Sequence, residues 1–135
     1  METYEDKRLA GLVGIYNSTV TDHFEHYVRP QENMAHVETR WAKIYSEAGQ
    51  GLLVLPAEET DSFSFNCSHF TPLMLTRTAH DYELVPKKET VVNVDYRHAG
   101  IGSGSCGPIL QEKLRLLPGD YQFAFRLLPV KGEEA

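Results

Sequence analysis

The chain of 135 residues has the length of a single domain, and its 41% hydrophobic and 24% charged residues are typical of a globular protein. Its formal net charge of −6, without a basic stripe, argues against nucleic acid as a partner. No apolar run approaches the roughly 20 residues that a membrane helix needs, and the acidic start METYEDKRLAG does not resemble a signal peptide. Two cysteines, Cys67 and Cys106, without a C-x-x-C pair, argue against structural zinc and predict free thiols in a reducing cytoplasm.

Strand signals dominate the chain. Segments that alternate, or that are rich in β-branched and aromatic residues, predict strands at residues 11–20, 37–45, 52–56, 62–66, 90–96 and 121–129. The alternation places side chains together on one face of a strand in three sets: Val37, Thr39, Trp41 and Tyr45; Val92, Val94 and Tyr96; and Tyr121, Phe123, Phe125 and Leu127. It predicts that Phe63 and Phe65 are buried and that the last set points inward, and Trp41 is predicted as a core residue rather than a sugar platform.

The turns and one short helix complete the predicted fold. The sequence AGQG at 48–51 predicts a hairpin turn. Thr71 can cap a helix and Pro72 suits its first position, so a helix is expected through residues 72–80. Residues 108–117 fit a helix or a strand, and we take them as a strand. About five to eight strands and one short helix predict an all-β, mainly antiparallel β-sandwich.

A glycine-rich segment is the most conspicuous motif. Residues 102–107, GSGSCG, spell a complete G-x-G-x-x-G, but the dinucleotide fingerprint needs a βαβ unit, and the 28 residues after Gly107 are too few for one. A nucleophile elbow, G-x-S-x-G, fails because Ser103 stands where its first glycine is required. Cys106 as a nucleophile would need a base, for which His98 is the nearest histidine in sequence. The default interpretation is a structural connection whose glycines permit positive φ.

Four stretches together resemble the extreme C-terminal part of the large bacterial β-galactosidases, glycoside hydrolases of family 2. They are ETYEDKRLAGLVGIYNSTV from residue 2, YVRPQENMAHVETRW from residue 27, HDYEL from residue 80 and NVDYRHAGIGSGSCGP from residue 93. Their order and spacing agree with the family over nearly the whole chain.

The resemblance implies part of a galactose-mutarotase-like supersandwich with no catalytic residue in this chain. The two glutamates that perform retaining hydrolysis of terminal β-D-galactosides, in lactose-type carbohydrate metabolism, belong to a central (β/α)8 barrel of roughly 250 residues. The isolated chain is therefore expected to be inactive. The resemblance also implies no cofactor in this chain, and it assigns any magnesium or sodium of the parent to other domains.

The glycine-rich segment gains a specific role from the resemblance. It would lend a loop to the rim of the active site, formed by His98, Gly102, Ser103, Gly104, Ser105 and Cys106. Some relatives carry a tryptophan where Cys106 stands, and a thiol cannot replace the area with which an aromatic ring stacks on a sugar. Met34 stands where glycine is usual in the family, so a positive φ there would cost roughly 1 kcal/mol or more.

Two further groups of residues have competing interpretations. His23 and His26 in DHFEH suggest a metal site, but positions i and i+3 of an extended chain face opposite sides, and a solvated loop is preferred.

Glu32 and Asn33 are candidates for polar contacts to a partner domain or to the sugar pocket. The favoured alternative is turn chemistry, since asparagine readily caps its own backbone.

The expected organisation is one domain over residues 1–135, with a disordered tail at 131–135. The resemblance implies that the chain begins inside the supersandwich, as a truncated piece or a short reading frame of a fragmented gene. The expected partners are the remainder of the β-galactosidase chain, its galactoside substrate and, through open strand edges, further copies of the fragment. The alternatives are a stand-alone carbohydrate-binding β-sandwich and an assembly piece without ligand contact.

Overall fold

The structure, a computed structural model, describes residue 3, residues 11–98 and residues 107–131. The strands are β1 (His36–Thr39), β2 (Ala42–Tyr45), β3 (Gln50–Pro56), β4 (Phe63–Ser68), β5 (Val91–Asp95) and β6 (Phe125–Lys131). One α-helix, α1 (Pro72–Arg77), and two 3-10 helices, Asp81–Glu83 and Glu112–Leu114, complete the elements of the described residues. Within these residues, no helix has the length and apolar character needed to cross a membrane.

The strands form two three-stranded sheets. One sheet has the order β1-β4-β5 and the other has the order β2-β3-β6, with antiparallel pairing throughout. The described residues therefore form an all-β antiparallel fold with one short α-helix, which confirms the predicted class.

The β2–β3 hairpin follows local sequence rules. The N–H of Ser46 donates to the carbonyl of Gln50 over 2.9 Å, and the N–H of Gly49 donates to the carbonyl of Ser46 over 2.8 Å. Gly49 has φ 75, a left-handed conformation that costs glycine little. The predicted turn at residues 48–51 is therefore about two residues too late, since the turn spans residues 46–49 and Gln50 and Gly51 belong to β3.

The core is small and lies between the two sheets. Val54 of β3 and Phe63 of β4 are the most deeply buried side chains, with exposures of 0% and 1%. Ala42 completes the buried cluster, and four partly buried side chains pack against it: Ile44, Phe65, Val94 and Phe123. The predicted burial of Phe63 is confirmed, whereas Phe65 is only partly buried.

Two strand predictions in the first half of the chain are wrong. Residues 11–20 form no strand, and Leu12 and Val13 are 86% and 107% exposed, so their β-propensity finds no packing surface. Residues 37–45 divide between β1 and β2, which lie in different sheets. Trp41 lies at this crossing and is 45% exposed, so its predicted place in the core is also wrong.

The second half contains further corrections. Residues 108–117 hold the 3-10 helix Glu112–Leu114 and no strand. Strand β6 begins at Phe125 rather than at residue 121, and Phe125 and Leu127 are 40% and 50% exposed although they were predicted to point inward.

The predicted helix is confirmed at its start. The hydroxyl of Thr71 accepts a hydrogen bond from the Met74 N–H over 3.2 Å, and Pro72 occupies the first turn. The helix ends at Arg77 rather than at residue 80. At the other end of the chain, Lys131 is the last residue of β6 and so does not belong to the predicted tail; residues 132–135 lie outside the described part.

Candidate functional site

The predicted rim loop falls partly within the described residues. His98 is described, whereas Gly102, Ser103, Gly104, Ser105 and Cys106 lie outside the described residues. The candidate site is therefore built from the strand that leads into this segment and from the groups that hold His98.

Strands β4 and β5 position a serine, a histidine and an aspartate together. Ser64 of β4 is paired directly with Asp95 at the end of β5, and His98 follows three residues later. The His98 Nδ1 atom lies 2.7 Å from the Ser64 hydroxyl, and its Nε2 atom lies 3.2 Å from a carboxylate oxygen of Asp95. With the proton on Nε2 facing the carboxylate, Nδ1 accepts the hydrogen bond that the Ser64 hydroxyl donates.

This arrangement contains the residue types of a hydrolytic triad, but here Ser64 and Asp95 orient the His98 ring. A catalytic serine must reach the carbonyl carbon that it attacks. Ser64 is only 2% exposed and its hydroxyl is already bonded to His98, so it presents little surface to a substrate. The carboxylate and the hydroxyl instead fix the orientation of the His98 ring at the entrance to residues 99–106.

A cavity of about 610 Å³ opens beside this group, on the side of Ser64. Its walls come from the β1 end, from the residues before β4 and from the segment that precedes β6. Its lining includes the charged residues Glu38, Asp61 and Arg97, and the rings of Tyr96 and Phe123. Glu38 has a positive φ of 55. Charged groups beside aromatic rings suit a polar, hydroxyl-bearing ligand or the side chains of a partner.

A row of aromatic rings continues from the cavity along the start of β6. The Tyr96 ring centroid lies 5.6 Å from that of Tyr121 and 5.9 Å from that of Phe123. Phe123 in turn lies 5.5 Å from Phe125. Tyr96, Tyr121 and Phe125 are 42%, 54% and 40% exposed, so this row presents aromatic surface to its surroundings.

The Asn33 side chain acts as an internal crosslink. Its Nδ2 donates to the carbonyls of Glu25 and Gln31 over 2.8 and 3.2 Å, and its Oδ1 accepts from the Glu25 N–H over 3.0 Å. Its own carbonyl accepts a hydrogen bond from the Asn66 side chain, and Asn33 is 4% exposed. These contacts bind the 25–33 loop to strand β4. Glu32 is exposed but borders a small crevice next to Asn33.

The histidines of the DHFEH segment point to different neighbours. The His23 ring lies 4.8 Å from the ring of His36, whereas His26 Nδ1 lies 2.8 Å from a carboxylate oxygen of Asp81. Among the described residues, no three His, Cys, Asp or Glu side chains are grouped to hold a metal ion. Burial lowers the pKa of His23, and burial together with the nearby His23 lowers the pKa of His36 to about 4.

Cys67 is a buried free thiol of strand β4. Burial raises its pKa to about 11, so the thiolate that nucleophilic chemistry requires is disfavoured. Cys106 lies outside the described residues.

The Ser64–His98–Asp95 group was missed by the sequence analysis. Ser64 and His98 are separated by 34 residues and meet only because β4 and β5 pair in one particular register. The one feature of the sequence that points to this group is the Asp95-x-x-His98 spacing at the end of a strand, which brings a carboxylate close to an imidazole.

Comparison with known proteins identifies relatives of this chain. Residues 1–127 match the family model described as beta galactosidase small chain. The β-galactosidase of Staphylococcus xylosus is 38% identical over 125 residues, which cover 93% of this chain. The β-galactosidases of Actinobacillus pleuropneumoniae and Lactococcus lactis subsp. lactis are 36% identical over 127 residues and 32% identical over 123 residues, covering 94% and 90% of this chain. In each case the match covers 12% of the relative's length.

Proposed function

Because the chain belongs to the beta galactosidase small-chain family, we propose that it is a non-catalytic segment of a β-galactosidase that hydrolyses terminal β-D-galactosides. Its role is to complete the β-sandwich of the parent and to position residues 98–106 at the active-site rim. The catalytic carboxylates belong to the remainder of the polypeptide. The buried free thiol of Cys67 supports function in a reducing cytoplasm.

The observation that carries this proposal is the relation between family match and length. The family model covers nearly the whole chain, yet the chain spans only 12% of the length of the S. xylosus relative. A segment of that size carries too few residues for a (β/α)8 barrel, which takes about 250. The large apolar side chains that remain exposed on β6 agree with a piece whose fold continues in other parts of the polypeptide.

The geometry supports a positioning role for the His98 group. Asp95 and Ser64 hold the imidazole from both sides and thereby anchor the chain directly before the glycine-rich segment. A loop fixed at its base pays less conformational entropy when substrate binds. Errors in its placement would lower the population of reactive geometries, which lowers the rate without removing a catalytic group.

The test is enzyme complementation. The S. xylosus β-galactosidase is prepared without the stretch that matches this chain, and a chromogenic β-galactoside is offered to each piece alone and to the mixture. We expect hydrolysis only after mixing. Hydrolysis by this chain alone would contradict a non-catalytic role, and a mixture as inactive as the separate pieces would contradict complementation.

The positioning role has its own test in the same assay. His98→Ala should lower kcat/KM of the complemented enzyme severalfold while leaving its assembly unchanged. Tyr82→Ala, at a residue 82% exposed whose ring stacks on His80 rather than on the His98 group, is the control and should leave both unchanged. Equal kcat/KM for the two variants would contradict a role for His98 at the rim.

A stand-alone carbohydrate-binding module is the second candidate function. It is favoured by the half-exposed aromatic row from Tyr121 to Phe125, because aromatic faces stack on sugar C–H groups. Titration of the chain with lactose or galactose, followed by the NMR signals of Tyr96 and Tyr121, distinguishes this candidate. Saturable shifts without a partner polypeptide would favour it, and their absence would count against it.

A further inference from the structure

Strand β6 forms one outer edge of its sheet, and the phase of the β3–β6 ladder shows which of its backbone groups face outward. Ala57 directly follows β3 and Ala124 directly precedes β6, and the Ala57 N–H donates to the Ala124 carbonyl over 3.3 Å. Hydrogen-bonded and non-hydrogen-bonded pairs alternate in an antiparallel ladder, so the next pair, Pro56 and Phe125, is non-hydrogen-bonded. By the same alternation, the N–H groups of Phe125 and Leu127 point away from β3.

Pro129 provides an independent check on this phase. Counted from Phe125, it also falls in a non-hydrogen-bonded pair, opposite Leu52. Proline lacks an N–H group and is tolerated where that group would face away from the neighbouring strand. Among the described residues, no strand pairs with the outward edge of β6.

Large apolar side chains are exposed on both faces of β6. Leu127 lies opposite Val54, the fully buried core residue, yet Leu127 is 50% exposed. On the other face, Leu128 lies opposite Leu53 and is 44% exposed. Directly opposed residues share a face of the sheet, so β6 has apolar surface on its core side and its outer side alike. Such two-sided apolar character is typical of a strand that is covered on both faces.

The sheet edges formed by β2 and β1 are better protected than that of β6. Strand β2 has only four residues, and the ammonium group of Lys43 lies 5.3 Å from the Tyr45 ring centroid beside that edge. Strand β1 also has four residues, and its register shifts between His36 and Thr39. Short strands, lysines and irregular register all discourage edge-to-edge pairing. Strand β6 has seven residues and the most exposed burial pattern of the six strands described.

The available partner is a longer polypeptide rather than a second copy. The chain spans 12% of the length of its S. xylosus relative, so most of such a polypeptide lies outside it. A second copy carries the same net charge of −6, which disfavours association of two identical chains. The aromatic row from Tyr121 to Phe125 and the cavity of about 610 Å³ adjoin the start of β6, so apolar side chains of an added strand could extend the same contact.

We propose that β6 pairs along its free edge with an apolar β-strand of the β-galactosidase polypeptide outside these 135 residues. The added strand accepts hydrogen bonds from the N–H groups of Phe125 and Leu127, and its side chains cover Leu127 on one face and Leu128 on the other. This inference rests on the proposed function, because it assigns the surface through which the chain joins its parent.

Amide hydrogen exchange gives the most direct test, with the S. xylosus β-galactosidase polypeptide lacking the matching stretch as the partner. In the free chain, the amides of Arg126, Leu128 and Val130 should be protected by β3, while those of Phe125 and Leu127 exchange quickly. In the complex, exchange at Phe125 and Leu127 should slow at least tenfold. Unchanged exchange at these two amides in a formed complex would overturn the proposal.

Two variants test the same contact through affinity. Leu127→Pro removes an outward N–H without removing a hydrogen bond to β3, and Leu128→Glu places a charge on the apolar outer face. Each should weaken binding to the S. xylosus polypeptide at least tenfold, measured by calorimetry on variants whose circular dichroism matches that of the wild type. Val85→Glu changes an equally apolar side chain, 73% exposed, outside β6 and should bind as the wild type does.

The outcomes separate this inference from the proposed function. Protection of Phe125 and Leu127 in a complex without hydrolytic activity would support the strand pairing and count against the proposed function. If Leu127→Pro and Leu128→Glu leave the activity of the complex unchanged, the proposed function is supported and the pairing of β6 with an added strand is overturned. Failure to bind, a homodimer that persists in the presence of the longer polypeptide, or sugar binding by the aromatic row as the only interaction would each overturn the strand pairing.

Discussion

Gly51 lies directly opposite Tyr45 in the β2–β3 hairpin, and the aromatic residue occupies the space that a side chain at Gly51 would need. A Cβ atom at residue 51 would overlap the backbone carbonyl oxygen of Ile44 and lie 2.6 Å from Tyr45 Cα. The sheet therefore requires glycine here for close approach of two backbones rather than for a special φ.

Gly51→Ala should destabilise the fold by roughly 1–3 kcal/mol, because backbone atoms have to move to admit the methyl group. Urea denaturation followed by circular dichroism measures the change in the free energy of unfolding. Gly119→Ala is the matched control, because a Cβ at Gly119 meets no atom within 4 Å. Equal stability of the two variants would show that the hairpin relaxes without strain.

Met34 adopts φ 58, the left-handed conformation that the resemblance to a glycine-bearing family suggested for this position. Met34→Gly should stabilise the fold by up to roughly 1 kcal/mol, since an L-residue pays about that much in this region. Part of the gain is offset by the greater freedom of glycine in the unfolded chain. The denaturation midpoint should rise without a change in slope.

Glu32→Gly provides the comparison for Met34→Gly. Glu32 is exposed and two positions away, and a positive φ is recorded for Met34 and Glu38 but not for Glu32. The control should lower stability by roughly 0.5–1 kcal/mol through the entropy of the unfolded chain. A loss of stability in both variants would mean that Met34 gains more from its side-chain contacts than it loses in backbone strain.

Local features of the fold could be predicted from the sequence, because a few neighbouring residues determine them. The Thr71 cap, the Pro72 start and the turn at Gly49 all depend on side-chain and backbone chemistry within four residues. The buried place of Phe63 follows from alternation in a strand that pairs on both edges. The family resemblance was correct for a different reason, because four separate stretches agreed in order and spacing over nearly the whole chain.

Features that depend on distant partners could not be predicted in the same way. Residues 11–20 have high β-propensity, but propensity largely reports packing against neighbours, and Val13 is fully exposed. The alternation of β6 correctly marks an apolar face, but it cannot reveal that the described sheets leave Leu127 half exposed. The Ser64–His98 contact likewise needs the register of β4 and β5, which no local pattern specifies.

The His23–His36 pair should make stability depend on pH. Burial favours the neutral imidazole of His36 and lowers its pKa from 6.5 to about 4 in the folded chain. Between those two values the unfolded chain binds more protons than the folded chain, so unfolding is favoured as pH falls. The melting temperature should therefore decrease as pH drops from about 6.5 towards 4, with no contribution from His36 above that window.

Thermal melts of His36→Phe at a series of pH values check this expectation. The variant keeps a ring against His23 but cannot accept a proton, so its melting temperature should fall less between pH 6.5 and pH 4. His80→Gln is the control, since the His80 side chain is 52% exposed. A wild-type slope retained in His36→Phe would assign the acid sensitivity to other groups.

The buried Asn33 side chain should be one of the most sensitive polar positions of the fold. It makes three hydrogen bonds to the backbones of Glu25 and Gln31, and Asn33→Ala would leave the Glu25 N–H and carbonyl groups without these partners. A hydrogen bond contributes a net of about 0.5–1.5 kcal/mol, so the loss of three should lower stability by roughly 2–4 kcal/mol.

Asn33→Asp separates donor from acceptor in this network. The carboxylate can still accept from the Glu25 N–H, but it cannot donate to the carbonyls of Glu25 and Gln31 and it places a charge at a residue only 4% exposed. This variant should therefore be at least as unstable as Asn33→Ala at pH 7 and should recover partly as its carboxyl group is protonated. Glu32→Gln, at the exposed neighbour, should unfold at the wild-type urea concentration. If Asn33→Ala did the same, the side-chain hydrogen bonds of Asn33 within the 25–33 loop would contribute little to stability.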